Sequence, residues 1–173
     1  GPSEEHVSMA GIPTEASILD MVERAMPGRV QNVYAHSSGG GKFIAVIQFK
    51  KTVPSDEGRQ RQAALLAFSA FPELKQVILV DEDVDIFDTN DVLWAMTTRM
   101  QADVDIVTIP GVRCHPLDPS NDPACSWSIR DHGIACKTIY DATIPFNQKA
   151  RFQRAKFMEV DVKKFLPDFT VQD

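Results

Sequence analysis

The sequence lacks two features that membrane and nucleic-acid-binding proteins usually have. No apolar stretch approaches the roughly 20 residues that a membrane-spanning helix needs. Positive charge is also in deficit, since 24 Asp and Glu against 18 Lys and Arg give a formal net charge of -6 at pH 7. Nucleic acids and anionic membranes attract positively charged surfaces. We therefore expect neither a nucleic acid nor a membrane as a partner.

Cysteine is scarce, and its spacing does not match a zinc motif. Cys114, Cys125 and Cys136 are widely separated, whereas structural zinc sites usually contain close pairs such as Cys-x2-Cys. His115 and His132 lie near them, but they do not create such a pair. An odd number of cysteines, together with no charged-then-apolar signal peptide, predicts reduced thiols in a cytoplasmic protein.

Several catalytic and phosphate-binding motifs are also missing. The sequence has no Gly-x-Ser-x-Gly nucleophile motif and no Cys/His/Asn protease pattern. Three glycines at residues 39–41 precede Lys42, but a phosphate loop continues with Ser or Thr and opens a helix. A strand pattern follows here, so we predict a hairpin turn instead.

The composition is that of one soluble domain. The 173 residues are 43% hydrophobic and 24% charged, which is enough to form a core without disulfides or metal. Residues 1–3 (GPS) resemble the remnant that a protease leaves after removal of an affinity tag. We therefore expect a single domain over residues 4–173.

Helical and strand patterns alternate along the chain. Helices are predicted in EASILDMVERAM with Thr14 as its cap, in PSDEGRQRQAALLAFSAF, and in TNDVLWAMTTRM with Asp88 as its cap. Strands are predicted in VQNVYAH, FIAVIQF, QVILVD and VDIVTIP. The residues predicted to face inward on the second and third helices are Leu65, Leu66, Phe68, Val92, Leu93, Met96 and Met100. The alternation predicts an α/β layered domain with a mostly parallel central sheet flanked by helices.

An acidic run follows one apolar strand, in the stretch VILVDEDVDIFD at residues 77–88. Its carboxylates are Asp81, Glu82, Asp83, Asp85 and Asp88. A calcium loop is excluded because Ile86 stands at the glycine position and Val92 at the final glutamate position. Alternation directs Val84 and Ile86 to the side opposite the odd-numbered acids. We predict a structural role for the run, as caps, turn hydrogen bonds or an interface edge.

Residues 111–135 have little periodicity and are long for a loop in a compact domain. Loops of this length are usually functional or mobile, and we expect mobility here. His115 lies on this loop, after a strand that we expect to be parallel, and chemistry gathers at the carboxyl ends of parallel strands. A histidine suits proton handling near neutral pH. The alternative is a solvated surface histidine.

The C-terminal tail is amphipathic and locally basic. The basic residues are Lys149, Arg151, Arg154, Lys156, Lys163 and Lys164, with Phe152 and Phe157 between them and Phe165 directly after them. Exposed apolar patches usually mark interfaces. We predict that this extended tail packs on another subunit or on another domain.

Several segments together resemble the C-terminal domain of the UbiD family of prenylated-flavin-dependent, non-oxidative decarboxylases. They are VILVDEDVDIFDTNDVLWAMTTRMQADVDIVTIPG, HPLDPS, KTIYDATIPF and RFQRAKFMEV, and the earlier AGIPTEASIL and GKFIAVIQFKK also fit. The segment CHPLDPS resembles the branch that acts on hydroxybenzoates such as protocatechuate or gallate.

The resemblance implies a reversible carboxy-lyase with two domains. The prenylated FMN, its Mn²⁺ and K⁺, and a Glu-Arg-Glu catalytic set would belong to an N-terminal domain, so we expect no cofactor or metal in this chain. The C-terminal domain would supply contacts of a homo-oligomer, a dimer or higher, and a loop that closes the active site. The chain alone would be inactive, and the complete protein would act on a small aromatic acid in the cytoplasm.

The resemblance also assigns roles to two loop residues. In the hydroxybenzoate branch, a His and a Leu two residues later face the substrate pocket, and His115 and Leu117 match them by position. His115 would bond or exchange a proton with a ring hydroxyl, and Leu117 would pack on the ring. A stand-alone α/β binding or assembly module without catalysis is the alternative.

Overall fold

The computed structural model describes residues 4–116, 118–121, 124 and 133–155. In chain order, the helices are α1 (Glu4–Ala25), α2 (Arg59–Ala70), α3 (Thr89–Arg99) and the short α4 (Ala102–Asp105). The strands are β1 (Val30–Ala35), β2 (Ile44–Phe49), β3 (Gln76–Asp81), β4 (Ile106–Arg113) and β5 (Ile134–Ala142).

The described strands form one five-stranded sheet in the order β1-β2-β3-β5-β4. The three central strands β2, β3 and β5 are parallel, whereas β1 and β4 run antiparallel to their neighbours. The predicted α/β layered class is therefore confirmed, with its parallel part at the centre of the sheet. We call the side on which the central strands begin the amino edge, and the side on which they end the carboxyl edge.

The core lies on both faces of the sheet. Along β3, Val77 and Leu79 join a cluster with α1 and α2, while Ile78 and Val80 join a second cluster with α3. The continuous apolar pattern of QVILVD arises because each face of this strand is covered. The hairpin predicted at residues 39–41 is confirmed, since β1 and β2 pair antiparallel across that turn.

The predicted start of the first helix is wrong. Helix α1 begins at Glu4, and Pro13 and Thr14 lie in its interior. The Thr14 hydroxyl donates to the carbonyl of Ala10 at 2.7 Å, a bond made inside a helix rather than at its cap. Asp88, by contrast, caps α3 as predicted, because its carboxylate accepts from the N–H of Asn90 at 2.9 Å.

Two leucines predicted to face inward are exposed. Leu65 on α2 and Leu93 on α3 lie in solvent, while Phe68 and Val92 are buried as predicted. Alanines Ala63, Ala64 and Ala67 make up most of the buried face of α2, and Ala95 is one of the buried residues of α3. Alanine was not counted in the pattern of large apolar residues, which explains the error.

Asp56 stabilises the segment that connects β2 to α2. Its buried carboxylate accepts the backbone N–H groups of Thr52 at 2.8 Å and Val53 at 3.2 Å, and it pairs with Arg29 Nε at 2.9 Å. Burial alone raises the pKa of this carboxyl. The hydrogen bonds and the ion pair outweigh burial and lower the pKa of Asp56 to about 2.

We expect Asp56→Asn to lower the free energy of unfolding of the chain at pH 7 by about 1 kcal/mol, after allowance for solvent screening. The folded-state pKa lies below the unfolded value, so this contribution is present above pH 4 and disappears as the pH falls toward 2. Urea unfolding at pH 7 and pH 3 measures it. Asp103→Asn, at an exposed position on α4, is the control. An equal loss for Asp56→Asn at both pH values would contradict the expectation.

Candidate functional site

His115 lies at the amino edge of the sheet, opposite the acidic run. Strand β4 is antiparallel to β5, so its end at Arg113 lies beside Ile134, where β5 begins. Asp81 ends β3 at the carboxyl edge. The interpretation that His115 follows the carboxyl end of a parallel strand is therefore wrong, and the sheet separates His115 from the acids.

Backbone and side-chain bonds attach the segment around His115 to the sheet. We call residues 114–116 and 118–121 the His115 turn. The N–H of Cys114 donates to the carbonyl of Gly133 at 2.7 Å, and the N–H of Asp118 donates to the carbonyl of His115 at 3.2 Å. Lys75 on β3's amino side binds the Asp118 carboxylate at 2.7 Å. These contacts hold the backbone of His115 in a defined position.

An ion pair between Lys75 and Asp118 stabilises the His115 turn. Burial raises the pKa of Asp118, but bonds from Lys75 and Ser120 outweigh burial and lower it below the usual value. The carboxylate therefore remains ionised at neutral pH. Because the Asp118 side chain is largely buried, solvent screens this ion pair less than it screens a fully exposed pair. The ion pair therefore restrains the His115 turn.

The imidazole of His115 is largely buried, with 15% of its side chain exposed. Its ring meets the ring of Phe43 edge-on, with centroids 6.0 Å apart. Its Nε2 lies 3.5 Å from Oε1 of Glu73, at the limit of hydrogen bonding. An aromatic ring and a carboxylate thus restrict the orientation of a group that can donate or accept a proton.

The other candidate residues are placed differently. Leu117, Cys125 and His132 lie outside the described residues. Cys114 is buried with its thiol 3.4 Å from the carbonyl of Glu73, whereas Cys136 is exposed. Among the residues that the structure describes, no three His, Cys, Asp or Glu side chains converge as metal ligands. In that same part of the chain, no helix combines the length and apolarity needed to cross a bilayer.

The acidic run lies at the carboxyl edge, and Arg99 binds two of its carboxylates. The guanidinium of Arg99 binds Asp81 Oδ2 at 3.1 Å and Asp83 at 2.9 and 2.6 Å. Asp85 accepts from the N–H of Phe87 at 3.0 Å. The predicted structural role is confirmed by these bonds and by the Asp88 cap.

The pKa values of the two acids bound to Arg99 are shifted in opposite directions. For Asp81, burial is dominant and raises its pKa to about 6, although Arg99 and the N–H of Ile144 oppose it. For Asp83, burial also raises the pKa, but bonds and charge from Arg99 and charge from Arg154 outweigh it, so the pKa is lowered. Arg99 was not singled out in the sequence, because a basic residue in the last turn of a helix normally lies in solvent.

The first basic residues of the C-terminal tail pack on this domain. Lys149 binds the carboxylate of Glu82 at 3.0 Å. Arg154 binds Asp91 at 2.7 Å and lies over the ring of Trp94, with its guanidinium carbon 4.1 Å from the centroid. The remainder of the tail, from residue 156, lies outside the described residues, so its predicted partner is untested.

Comparison with known proteins shows which family this chain resembles. The model of the 3-octaprenyl-4-hydroxybenzoate carboxy-lyase C-terminal domain (UbiD) matches residues 7–142. Gallate decarboxylase of Lactiplantibacillus plantarum is 61% identical over 168 residues, 96% of this chain and 34% of that protein. Anhydromevalonate phosphate decarboxylase of Aeropyrum pernix is 41% identical over 156 residues, 90% of this chain and 33% of that protein.

Solved structures give the same result. The apo structure of 3,4-dihydroxybenzoic acid decarboxylase from Enterobacter cloacae is 63% identical, with a TM-score of 0.88 over 96% of this chain and 34% of that one. The UbiD-class enzyme HmfF from Pelotomaculum thermopropionicum, in complex with FMN, is 34% identical with a TM-score of 0.81 over 96% of this chain and 35% of that one. The chain spans about a third of the length of the curated relatives it matches.

Proposed function

The chain belongs to the UbiD family, whose C-terminal domain it matches, and on this premise we propose that it is the C-terminal part of a reversible, non-oxidative hydroxybenzoate decarboxylase. The proposed substrates are 3,4-dihydroxybenzoate (protocatechuate) and gallate. The observation that carries the proposal is that the gallate and 3,4-dihydroxybenzoic acid decarboxylases are much more similar to this chain than the anhydromevalonate phosphate decarboxylase is.

The flavin and metals of the proposed reaction do not fit the described residues. Structures of the relative HmfF are complexes with FMN and with prenylated FMN. In the described part of this chain, no cluster of metal ligands converges, and residues 39–41 lead into β2 rather than into a phosphate-binding helix N-terminus. We therefore assign prenylated FMN, Mn²⁺ and K⁺ to an N-terminal domain of a longer protein. There the cofactor supplies the electronic stabilisation that loss of carbon dioxide needs.

The chain's own chemical contribution is the His115 turn. We assign His115 the task of holding the substrate by a hydrogen bond to a ring hydroxyl and of exchanging a proton there. Leu117 would pack against the ring from the same segment. The support is geometric, because Phe43, Glu73 and the Lys75–Asp118 pair restrain a proton-transfer group at one edge of the domain.

The second contribution is to assembly as a homo-oligomer, a dimer or higher. Met9 and Ile12 on α1 are large apolar side chains exposed on one helix. Such residues are unfavourable in water and typically become buried at an interface. The relative HmfF has been solved in an evolved dimeric form.

We expect carbon dioxide release from 3,4-dihydroxybenzoate by the longer flavin-loaded protein and none by the 173-residue chain in the same buffer. The reason is that we assign the flavin to an N-terminal domain, and that no metal-ligand cluster converges among the described residues of this chain. Mass-spectrometric detection of carbon dioxide measures the difference, with gallate as a second substrate. If neither protein is active on any hydroxybenzoate, an assembly module without catalysis replaces this proposal.

A further inference from the structure

Lys137 is a buried lysine that the proposed reaction does not use. It lies on β5, opposite Ile109 of β4, and only 4% of the residue is exposed. Among the described residues, no carboxylate pairs with its ammonium. Burial lowers the pKa of Lys137 below its usual value, although Cys114 opposes this shift. Buried lysines usually have an acidic partner, so the contacts of this one indicate what the position requires.

The ammonium of Lys137 binds two backbone carbonyls of one short connection. Its Nζ donates to the carbonyl of Pro72 at 2.6 Å and to the carbonyl of Leu74 at 2.7 Å. The ammonium also lies over the ring of Phe68 on α2, 5.1 Å from the ring centroid. A lysine ammonium has three N–H donors and no acceptor, which suits two carbonyls and a ring face. Lys137 therefore attaches the connection between α2 and β3 to strand β5.

The same connection carries two side chains that contact the His115 turn. We call residues 72–75 the 72–75 segment. Glu73 Oε1 lies 3.5 Å from Nε2 of His115, and Lys75 Nζ binds the Asp118 carboxylate at 2.7 Å. A shift of the 72–75 segment would therefore move both contacts at once. The position of the imidazole of His115 depends on this segment.

We propose that Lys137 is a positioning residue, which holds the imidazole of His115 in place through the 72–75 segment. The inference rests on the proposed function, in which His115 binds a ring hydroxyl and exchanges a proton there. Without the ammonium, the carbonyls of Pro72 and Leu74 would lose this donor, and the segment would shift toward water or another donor. A displacement of about 1 Å in a positioned group can lower a rate on the order of 100-fold.

The first test compares the histidine ring spectra of the 173-residue chain and its Lys137→Met variant by two-dimensional ¹H–¹⁵N NMR. Methionine has an unbranched side chain like that of lysine but no N–H donor. The ring signals of His115, identified by their loss in His115→Ala, are expected to shift. The ring of His36 bonds to Thr89 at 2.9 Å and to Ser38 at 2.8 Å, so its signals should stay in place.

Lys51→Met is the matched control. Lys51 is also buried and also donates to a backbone carbonyl, that of Ile144 at 3.0 Å, but it lies at the carboxyl edge. A general loss of stability from removing a buried ammonium should appear in both variants, whereas the His115 shift should appear in Lys137→Met alone. If Lys137→Met does not fold, Lys137→Gln takes its place, because it keeps an N–H donor without the charge. A smaller shift of His115 is then expected.

The second test is turnover by the longer flavin-loaded protein. Lys137→Met is expected to lower kcat/KM for 3,4-dihydroxybenzoate about tenfold, through displacement of His115. In the His115→Ala background, the same substitution should change kcat/KM less than about twofold, because the group that it positions is already absent. A lysine with a merely structural role would give the same loss in both backgrounds.

Three results would each overturn the proposal. They are an unshifted His115 ring in a folded Lys137 variant, an equal His115 shift in Lys51→Met, and an equal loss of activity in the two backgrounds. The ring spectra need no flavin and no turnover. If the longer protein were inactive on every hydroxybenzoate, the proposed function would fail, and the spectra would still decide whether Lys137 positions His115.

Discussion

Replacing His115 with alanine in the longer, flavin-loaded protein is expected to lower kcat/KM for 3,4-dihydroxybenzoate about 100-fold, the usual scale for loss of a positioned proton-transfer group. The imidazole is held by contact with Phe43 and Glu73, so its loss removes a group of fixed orientation. His115→Gln should restore part of the activity if hydrogen bonding to the ring hydroxyl is the main role. Similar losses in both variants indicate proton transfer. Steady-state assays of carbon dioxide release measure both.

The control for this experiment is His36→Gln. The ring of His36 is bonded to the hydroxyl of Thr89 at 2.9 Å and to Ser38, and the proposed reaction does not use it. The variant is expected to retain the parent kcat/KM within about twofold, an effect below 0.5 kcal/mol. Unchanged turnover of hydroxybenzoates in His115→Ala would exclude the role proposed for His115.

The largest expected effect on stability comes from Arg99→Met, which should lower the free energy of unfolding by about 3–5 kcal/mol. The side chain of Arg99 is 1% exposed, and its guanidinium binds both Asp81 and Asp83. Its removal leaves the Asp81 carboxylate buried beside a second negative charge. For a chain of this length, the melting temperature should fall by roughly 10 °C. Urea unfolding and thermal melting measure the two quantities.

Two controls separate the buried charge from the loss of side-chain packing. Adding Asp81→Asn to Arg99→Met removes the stranded carboxylate, so the double variant should lose less than the sum of the two single losses. Arg24→Met breaks an exposed pair with Asp20 at 2.9 Å, and it should change stability by less than about 1 kcal/mol. Equal effects of Arg24→Met and Arg99→Met would show that burial of the ion pair is unimportant.

Local sequence patterns predicted where helices and strands form better than they predicted the directions of the strands. The apolar run of β3, the hairpin before β2 and the Asp88 cap each depend on neighbouring residues, and the structure contains all three. The direction of β4 depends on which strand it pairs with, and periodicity carries no information about that choice. As a result, the sequence identified His115 as a candidate but placed it at the wrong edge of the sheet.

The site at the carboxyl edge was less accessible to sequence reasoning. The acidic run was visible, but its partner Arg99 lies sixteen to eighteen residues farther along the chain. The contacts of Asp81 with Ile144 and Lys149 depend on where those residues lie in three dimensions. The family resemblance, in contrast, was readable because it rests on several separated segments that need no geometry.

The bond between Cys114 and Gly133 has a consequence for how this family can diversify. Because β4 and β5 are antiparallel neighbours, both ends of the intervening segment emerge side by side, joined by a 2.7 Å hydrogen bond. The length or sequence between those ends can change at little entropic expense and without moving a strand. Mutation can therefore change the length or sequence of this segment while the sheet stays intact.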